Sequence, residues 1–255
     1  MKFRTTAAVV LAAALALAGC SSSKKNNTPT SGGSITVLAA SSLTDTFNQL
    51  GRQFMAAHPG VKVTFSYGAS STLASSITQG APADVFAAAS PATMKTVTDA
   101  GDASGTPTTF VKNQLVIAVP PGNPKNIKTL QDLANPALKV VLCAPAVPCG
   151  AAATTALTAG NVTVKPVSQA QDVKSALSPV ELGEADAALV YRTDVKAAAG
   201  KVDGVEFPES AQAINNYLIA ALKNSKDLTD AQAFVAYVLS PDGIKVLTDA
   251  GFQAP

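Results

Sequence analysis

From Ile35 to Ala89, short apolar runs alternate with amphipathic segments at spacings that leave room for little except a layered α/β fold. "SITVLAA" is a continuous apolar strand. In "LTDTFNQLGRQFMAAH" the residues Leu43, Phe47, Leu50 and Phe54 form one stripe of a helix, which "HPG" ends. Val61, Val63 and Phe65 alternate in "VKVTFSYG", a second strand. "STLASSITQG" reads as a helix closed at Gly80, and "ADVFAAA" as a third strand. This βαβαβ order predicts a largely parallel sheet covered on both faces, with ligand sites beyond the carboxyl ends of its strands.

The pattern then repeats. "QLVIAVP", "KVVLCA" and "ADAALVY" are strands, "TLQDLANPAL" is a short helix broken at Pro136, and "GAAATTALTAG" is a helix from Gly150. "AINNYLIAAL" reads as a further strand, followed by two helical segments divided at Pro241. Two similar α/β units, the second inserted into the first, fit this order. The boundaries fall near residues 112 and 215, giving 34–112 with 216–255 as one lobe and 113–215 as the other. One extended α/β domain of the same length is the alternative.

The first 20 residues carry Lys2 and Arg4, an Ala/Val/Leu run, then Gly19 and Cys20, and read as an export signal over 1–19. The alternative, a membrane span, asks for an apolar stretch of about 20 residues, longer than this one. "LAGC" resembles the lipobox of bacterial lipoproteins, which makes Cys20 the lipidated first residue of the mature chain. Residues 20–33 then form a polar tether. Without Lys2 and Arg4 the 19 basic residues become 17, equal to the 17 acidic ones. A neutral body with no Lys/Arg cluster offers nothing to nucleic acid. With Cys20 lipidated, Cys143 and Cys149 remain as an even pair, which an exported protein can oxidise to a disulfide.

Enzyme signatures are thin. The single histidine, His58, lies in the helix stop at the far end of the helix that follows Ser42, roughly 20 Å away, too far to serve as base for a serine there. The chain lacks GxSxG, GxxxxGK[ST] and HExxH motifs, and the SxxK spacing in "SSSK" falls in the tether. What recurs is hydroxyls at helix entrances: Ser41-Ser42 before the first helix, and Ser70-Ser71-Thr72 at the second. Each can be an ordinary N-cap, and the Ser42–Asp45 spacing also matches a capping box. Two such openings at successive strand ends make a neutral anion site, with charge balanced by helix dipoles and N–H groups. "PCGAAATT" supplies a third entrance, without a side-chain cap.

"ITVLAASSLTD", "SYGASSTLASSITQGAPADVFAAAS", "VPCG", "AQDVKSAL" and "ALVYRTDV" resemble the periplasmic or surface-anchored molybdate-binding proteins of bacterial ABC importers, over about residues 34–254. The resemblance implies a two-lobed type II periplasmic binding fold, each lobe a mostly parallel sheet flanked by helices. It implies a molybdate or tungstate oxyanion held between the lobes by neutral donors: Oγ and N–H groups of Ser42 and Ser70, N–H groups of Cys149 and Val173, and the Tyr191 hydroxyl. No catalytic residue, cofactor or directly coordinated metal is implied. The implied partners are an ABC permease and its ATPase, with the chain a monomer held at the outer face of the membrane by its lipid.

Molybdate oxygens accept only, so a pocket built from donors suits them. Protonated phosphate would leave one O–H unpaired there, at a cost of about 1–3 kcal/mol. Sulfate passes this filter and must be excluded by size, so a sulfate or thiosulfate receptor of the same fold is the nearest alternative. A cell-wall serine hydrolase would need a base beside Ser42 or Ser70. Asp84 is expected to hydrogen-bond neighbouring loop backbone, Arg192 and Lys112 to steer an anion inward, and Ser41 to give local support. Cys149 departs from the small alanine or glycine common in the family before this glycine, and Cys143 stands where the family does not lead one to expect cysteine. Bridged, they would stiffen the loop that offers the Cys149 N–H.

Overall fold

The computed structural model describes residues 32–255. The signal segment, Cys20 and the tether up to residue 31 lie outside the described residues. The body begins with β1 (Ser34–Ala40), a 3-10 turn (Ser41–Leu43), α1 (Thr44–Ala57), β2 (Lys62–Gly68), α2 (Ser70–Thr78), β3 (Val85–Ala88), α3 (Pro91–Asp99) and β4 (Ala103–Asn113). It crosses at Gln114 into β5 (Leu115–Val119), β6 (Val140–Cys143), α4 (Pro148–Ala159), β7 (Ser168–Ala170), α5 (Val173–Glu181), β8 (Ala187–Tyr191), α6 (Arg192–Ala197) and β9 (Asp203–Val205). It returns through β10 (Asn215–Leu222) and ends in α7 (Leu228–Leu239) and α8 (Pro241–Asp249).

These strands form two five-stranded sheets, in the orders β2-β1-β3-β10-β4 and β7-β6-β8-β5-β9. Both are mixed in the way a mostly parallel sheet can be: four strands run one way and a single strand, β10 or β5, runs against them. β1 pairs in parallel with β2 and β3, and β6 with β7 and β8, as strand-helix-strand units require. β10 runs antiparallel to β3 and β4, and β5 antiparallel to β8 and β9, because the strands that carry the chain between sheets enter from the opposite direction.

Period-two alternation sorts the first sheet's side chains to two covered faces. Val37, Ala39, Ala87, Tyr217 and Ile219 pack with Phe47, Phe54 and Phe234 of α1 and α7. Leu38, Phe86 and Ala220 pack on the other face with Leu73, Ile77 and Met94 of α2 and α3. A separate apolar cluster fills the second sheet's layers, and Ala69, at the end of β2's loop, is packed into it from the first.

Register brings the first sheet's carboxyl ends level. Ala40 lies opposite Gly68, and Ala39 opposite Ala87. The segments leaving these strands, Ser41–Ser42, Ala69–Ser70 and Ala89, therefore emerge side by side facing the second sheet. Asp84 stands behind them as a structural group. Its carboxylate accepts from the N–H of Thr36 at 2.6 Å and Lys226 at 3.1 Å and from Ser225 Oγ at 2.6 Å. His58 caps nothing catalytic; its ring stacks on Phe54 with centroids 4.2 Å apart.

Candidate functional site

Ser42 belongs to the 3-10 turn, and its side chain caps neither that turn nor α1. The capping box expected with Asp45 does not form: Ser42 lies inside the 3-10 turn, Leu43 is the residue that precedes α1, and the Ser42 hydroxyl pairs instead with Tyr217 Oη at 2.8 Å. Ser41 is local support through its carbonyl, which accepts from Thr44 Oγ1 at 2.6 Å. Ser70 is the first residue of α2, again without a side-chain cap. Its Oγ accepts the Ala89 N–H at 2.9 Å, tying the ends of β2 and β3 together. With that lone pair engaged, the Ser70 proton is left to donate.

On the facing lobe, α4 starts at Pro148, two residues before the Gly150 start expected from sequence, and it too lacks a side-chain cap. Proline fits there because the N–H it lacks has no partner in a helix's first turn. Gly150 is required by a close approach: a Cβ there would sit 1.9 Å from the Ala144 carbonyl oxygen. Cys143, ending β6, and Cys149, in the first turn of α4, are bonded as a disulfide with Cα atoms 5.8 Å apart. The bridge folds the intervening loop over the end of its own strand. α5 opens at Val173, whose side chain is core while its N–H lies in the uncovered first turn. Asp172 caps α5 by accepting the Ser175 N–H at 2.9 Å, so one of its carboxylate oxygens is engaged with the helix.

Tyr191 ends β8. It is 1% exposed, and its hydroxyl has no hydrogen-bond partner among the described residues. An unpaired buried hydroxyl is costly unless a ligand completes it. Burial first, then Tyr217 and Asp194, hold its phenol well above the ordinary range, so it remains a proton donor.

All five residues singled out from sequence, Ser42, Ser70, Cys149, Val173 and Tyr191, line one cavity between the lobes. Ser41, Ala69, Ala89 and Asp172 complete much of its wall, and no lysine or arginine does. The cavity's volume is about 10 Å³, room for about one water-sized group between the lobes. Three helix starts without side-chain caps, at Ser41, Ser70 and Pro148, turn first-turn N–H groups and the positive ends of their dipoles toward it. The arrangement donates hydrogen bonds to a small anion and holds no base or nucleophile pair.

The cations sit further out. Arg192 is held bidentately by Glu206 at 2.9 and 2.9 Å, so it does not face the cavity. Lys112 is fixed along its backbone to Gln253 at the end of the chain. Lys174, on α5, crosses the cleft to Asp45 on α1 at 3.2 Å and stands 3.7 Å from the buried Asp194. Sequence reasoning missed the layer behind the site: Tyr217, Asn113, Thr193 and Asp194. The alternation in "INNYLIAAL" marks Tyr217 as inward-facing, but nothing local marks its hydroxyl as Ser42's partner.

The profile described as bacterial extracellular solute-binding protein matches residues 35–253. The molybdate-binding protein ModA of Mycobacterium tuberculosis is 46% identical over 222 residues, 87% of this chain and 85% of its own. Among solved structures, the substrate-binding domain of a putative molybdenum ABC transporter from Clostridium difficile matches at 28% identity and TM-score 0.67, covering 88% of this chain and 99% of its own. The periplasmic molybdate-binding protein of Azotobacter vinelandii shares the fold at 24% identity and TM-score 0.77, covering 87% and 99%. The chain therefore belongs to the bacterial extracellular solute-binding proteins and, within them, to the ModA family, whose members are extracytoplasmic transport receptors and not enzymes.

Proposed function

We propose that this protein captures molybdate, and with it tungstate, between its two lobes and hands the ion to an ABC permease and its ATPase. Ser42 and Ser70 donate from the first lobe through Oγ and N–H; Cys149 and Val173 donate N–H groups from the second, and Tyr191 donates its hydroxyl. The observation that carries this reading is the buried Tyr191 hydroxyl, without a partner among the described residues, on the wall of a cavity ringed by uncapped helix starts and free of cationic side chains. An acceptor-only dianion of compact size satisfies all of these donors together. Lobes 34–112 with 216–255 and 113–215 close on it, and the second-lobe donors are the contacts made only on closure.

Lipid on Cys20 holds the receptor as a monomer at the outer face of the membrane, with the tether supplying reach. Replacement of Cys20 by serine should move the protein from the membrane to the soluble fraction. A thermal-shift panel of molybdate, tungstate, sulfate, phosphate and chromate tests the ligand. At 100-fold excess over its dissociation constant a ligand adds about 2.7 kcal/mol. Molybdate and tungstate should raise Tm at micromolar concentration; a larger rise with sulfate, or none with molybdate, overturns the proposal.

A further inference from the structure

We infer that Tyr217 is a positioning residue that fixes Ser42 as a hydrogen-bond donor and thereby sets the site's selectivity against protonated oxyanions. The inference rests on the reading above, in which Ser42 touches the anion. Tyr217 is fully buried in β10 and does not line the cavity. Its phenol oxygen lies 2.8 Å from Ser42 Oγ and 3.4 Å from Asn113 Nδ2.

The direction of the Ser42–Tyr217 bond follows from counting protons. Asn113 Oδ1 accepts the Gln114 N–H at 3.0 Å, which orients the amide so that its NH₂ group faces Tyr217 and Thr193 Oγ1, the latter at 2.8 Å. Asn113 can only donate to the Tyr217 oxygen, so the Tyr217 proton needs an acceptor. Among the described residues Ser42 Oγ, at 2.8 Å, is the oxygen within hydrogen-bond distance that can accept it; the neighbouring Tyr191 phenol, its ring centroid 6.1 Å from that of Tyr217, makes no bond at that distance. Ser42 thus receives from Tyr217, and its own proton is directed to the cavity it lines. The same polarity is imposed on Ser70 by the Ala89 N–H. The two serines differ in one respect that matters: Ser70 is set by backbone, whereas Ser42 is set by a side chain that can be replaced.

Tyr217→Phe retains the ring's edge-to-face contacts with Phe110, Tyr191 and Phe252 and removes only the hydroxyl. Ser42 Oγ then has a further lone pair free and can turn to accept a proton from hydrogen phosphate, whereas in the wild-type site the carboxylate on the wall, Asp172, is turned to the Ser175 N–H of its own helix. The experiment is calorimetric titration of the mature protein with sodium molybdate, and of the same protein with sodium phosphate at pH 7, for wild type, Tyr217→Phe, Ser42→Ala and the double variant. We expect Tyr217→Phe to weaken molybdate binding about 3- to 10-fold and to lower the molybdate-to-phosphate affinity ratio at least 10-fold. In the Ser42→Ala background the same replacement should leave the ratio unchanged. A fall in molybdate affinity with an unaltered ratio, or an equal fall in the ratio without Ser42, overturns the inference. Unchanged molybdate affinity in Ser42→Ala would instead overturn the underlying placement of Ser42 at the anion. Matching unfolding curves for Tyr217→Phe and wild type, which we expect, exclude a folding defect as the cause; a collapsed curve would refute the claim that the hydroxyl acts by orienting Ser42 and not by holding the fold.

Discussion

Asp194 is 1% exposed on the first turn of α6. One carboxylate oxygen accepts the Tyr191 N–H at 3.1 Å; the other has no hydrogen-bond partner among the described residues and lies 3.7 Å from Lys174 Nζ. Burial outweighs the neighbouring lysine and pushes the carboxyl from 3.8 up to about 6. Between those values the folded chain keeps a proton that the unfolded chain has released. This group's contribution to stability is therefore whole below pH 3.8 and is lost as pH rises through about 6. A separation of about two units corresponds to about 3 kcal/mol once both states are ionised, and about 2 kcal/mol of it develops between pH 4.5 and 7.

Asp194→Asn keeps an acceptor for the Tyr191 N–H and cannot titrate. In urea unfolding of the ligand-free protein, the variant's stability should gain on wild type by about 2 kcal/mol from pH 4.5 to 7. Lys174→Met acts in the opposite sense, because it removes the one cation within salt-bridge distance of Asp194 among the described residues. Its decline in stability should continue above pH 7. A wild-type-minus-Asn difference that stays constant across the range, or that grows in wild type's favour as pH rises, would refute the argument that desolvation dominates at Asp194.

Ser42→Ala and Ser70→Ala should each weaken molybdate binding by about 1–3 kcal/mol, since each deletes a donor to a buried charge; calorimetry showing unchanged affinity would remove that serine from the site. Replacing both Cys143 and Cys149 by serine opens a short loop, and chain entropy puts the loss at about 2 kcal/mol of stability, read as a lower midpoint in urea. Intact mass of protein from its own compartment should show no alkylatable thiol at this pair before reduction. Gly150→Ala places a methyl 1.9 Å from the Ala144 carbonyl oxygen, so the first turn of α4 must move. Its Tm should fall and its molybdate affinity should drop at least 10-fold, with wild-type affinity arguing against a donor at the start of α4.

How far the sequence could be read depends on the distance over which each signal acts. The first sheet's βαβαβ order was legible because strand and helix periodicities are local, and so was the convergence of Ser42 and Ser70, since parallel strands of this kind end on one side. The Cys149, Val173 and Tyr191 positions came from the family resemblance, because apolar side chains hide the role of a main-chain N–H. β4 was not anticipated. "ASGTPTTFVKN" contains Gly105 and Pro107, which argue against a strand, and its place at the sheet's edge is what makes them tolerable. The Ser42–Asp45 spacing pointed to a capping box, yet a hydroxyl 175 positions away won the serine. A cap is one local bond in competition with any partner the fold delivers, and spacing cannot register the competitor. The same reasoning separates the two tiers of this site. Residues that face the cavity sit at strand ends and helix starts, where sequence leaves a mark. Residues that decide whether those groups donate or accept, such as Asn113 and Tyr217, look like ordinary core until the sheets are assembled, so selectivity is written where local patterns carry least.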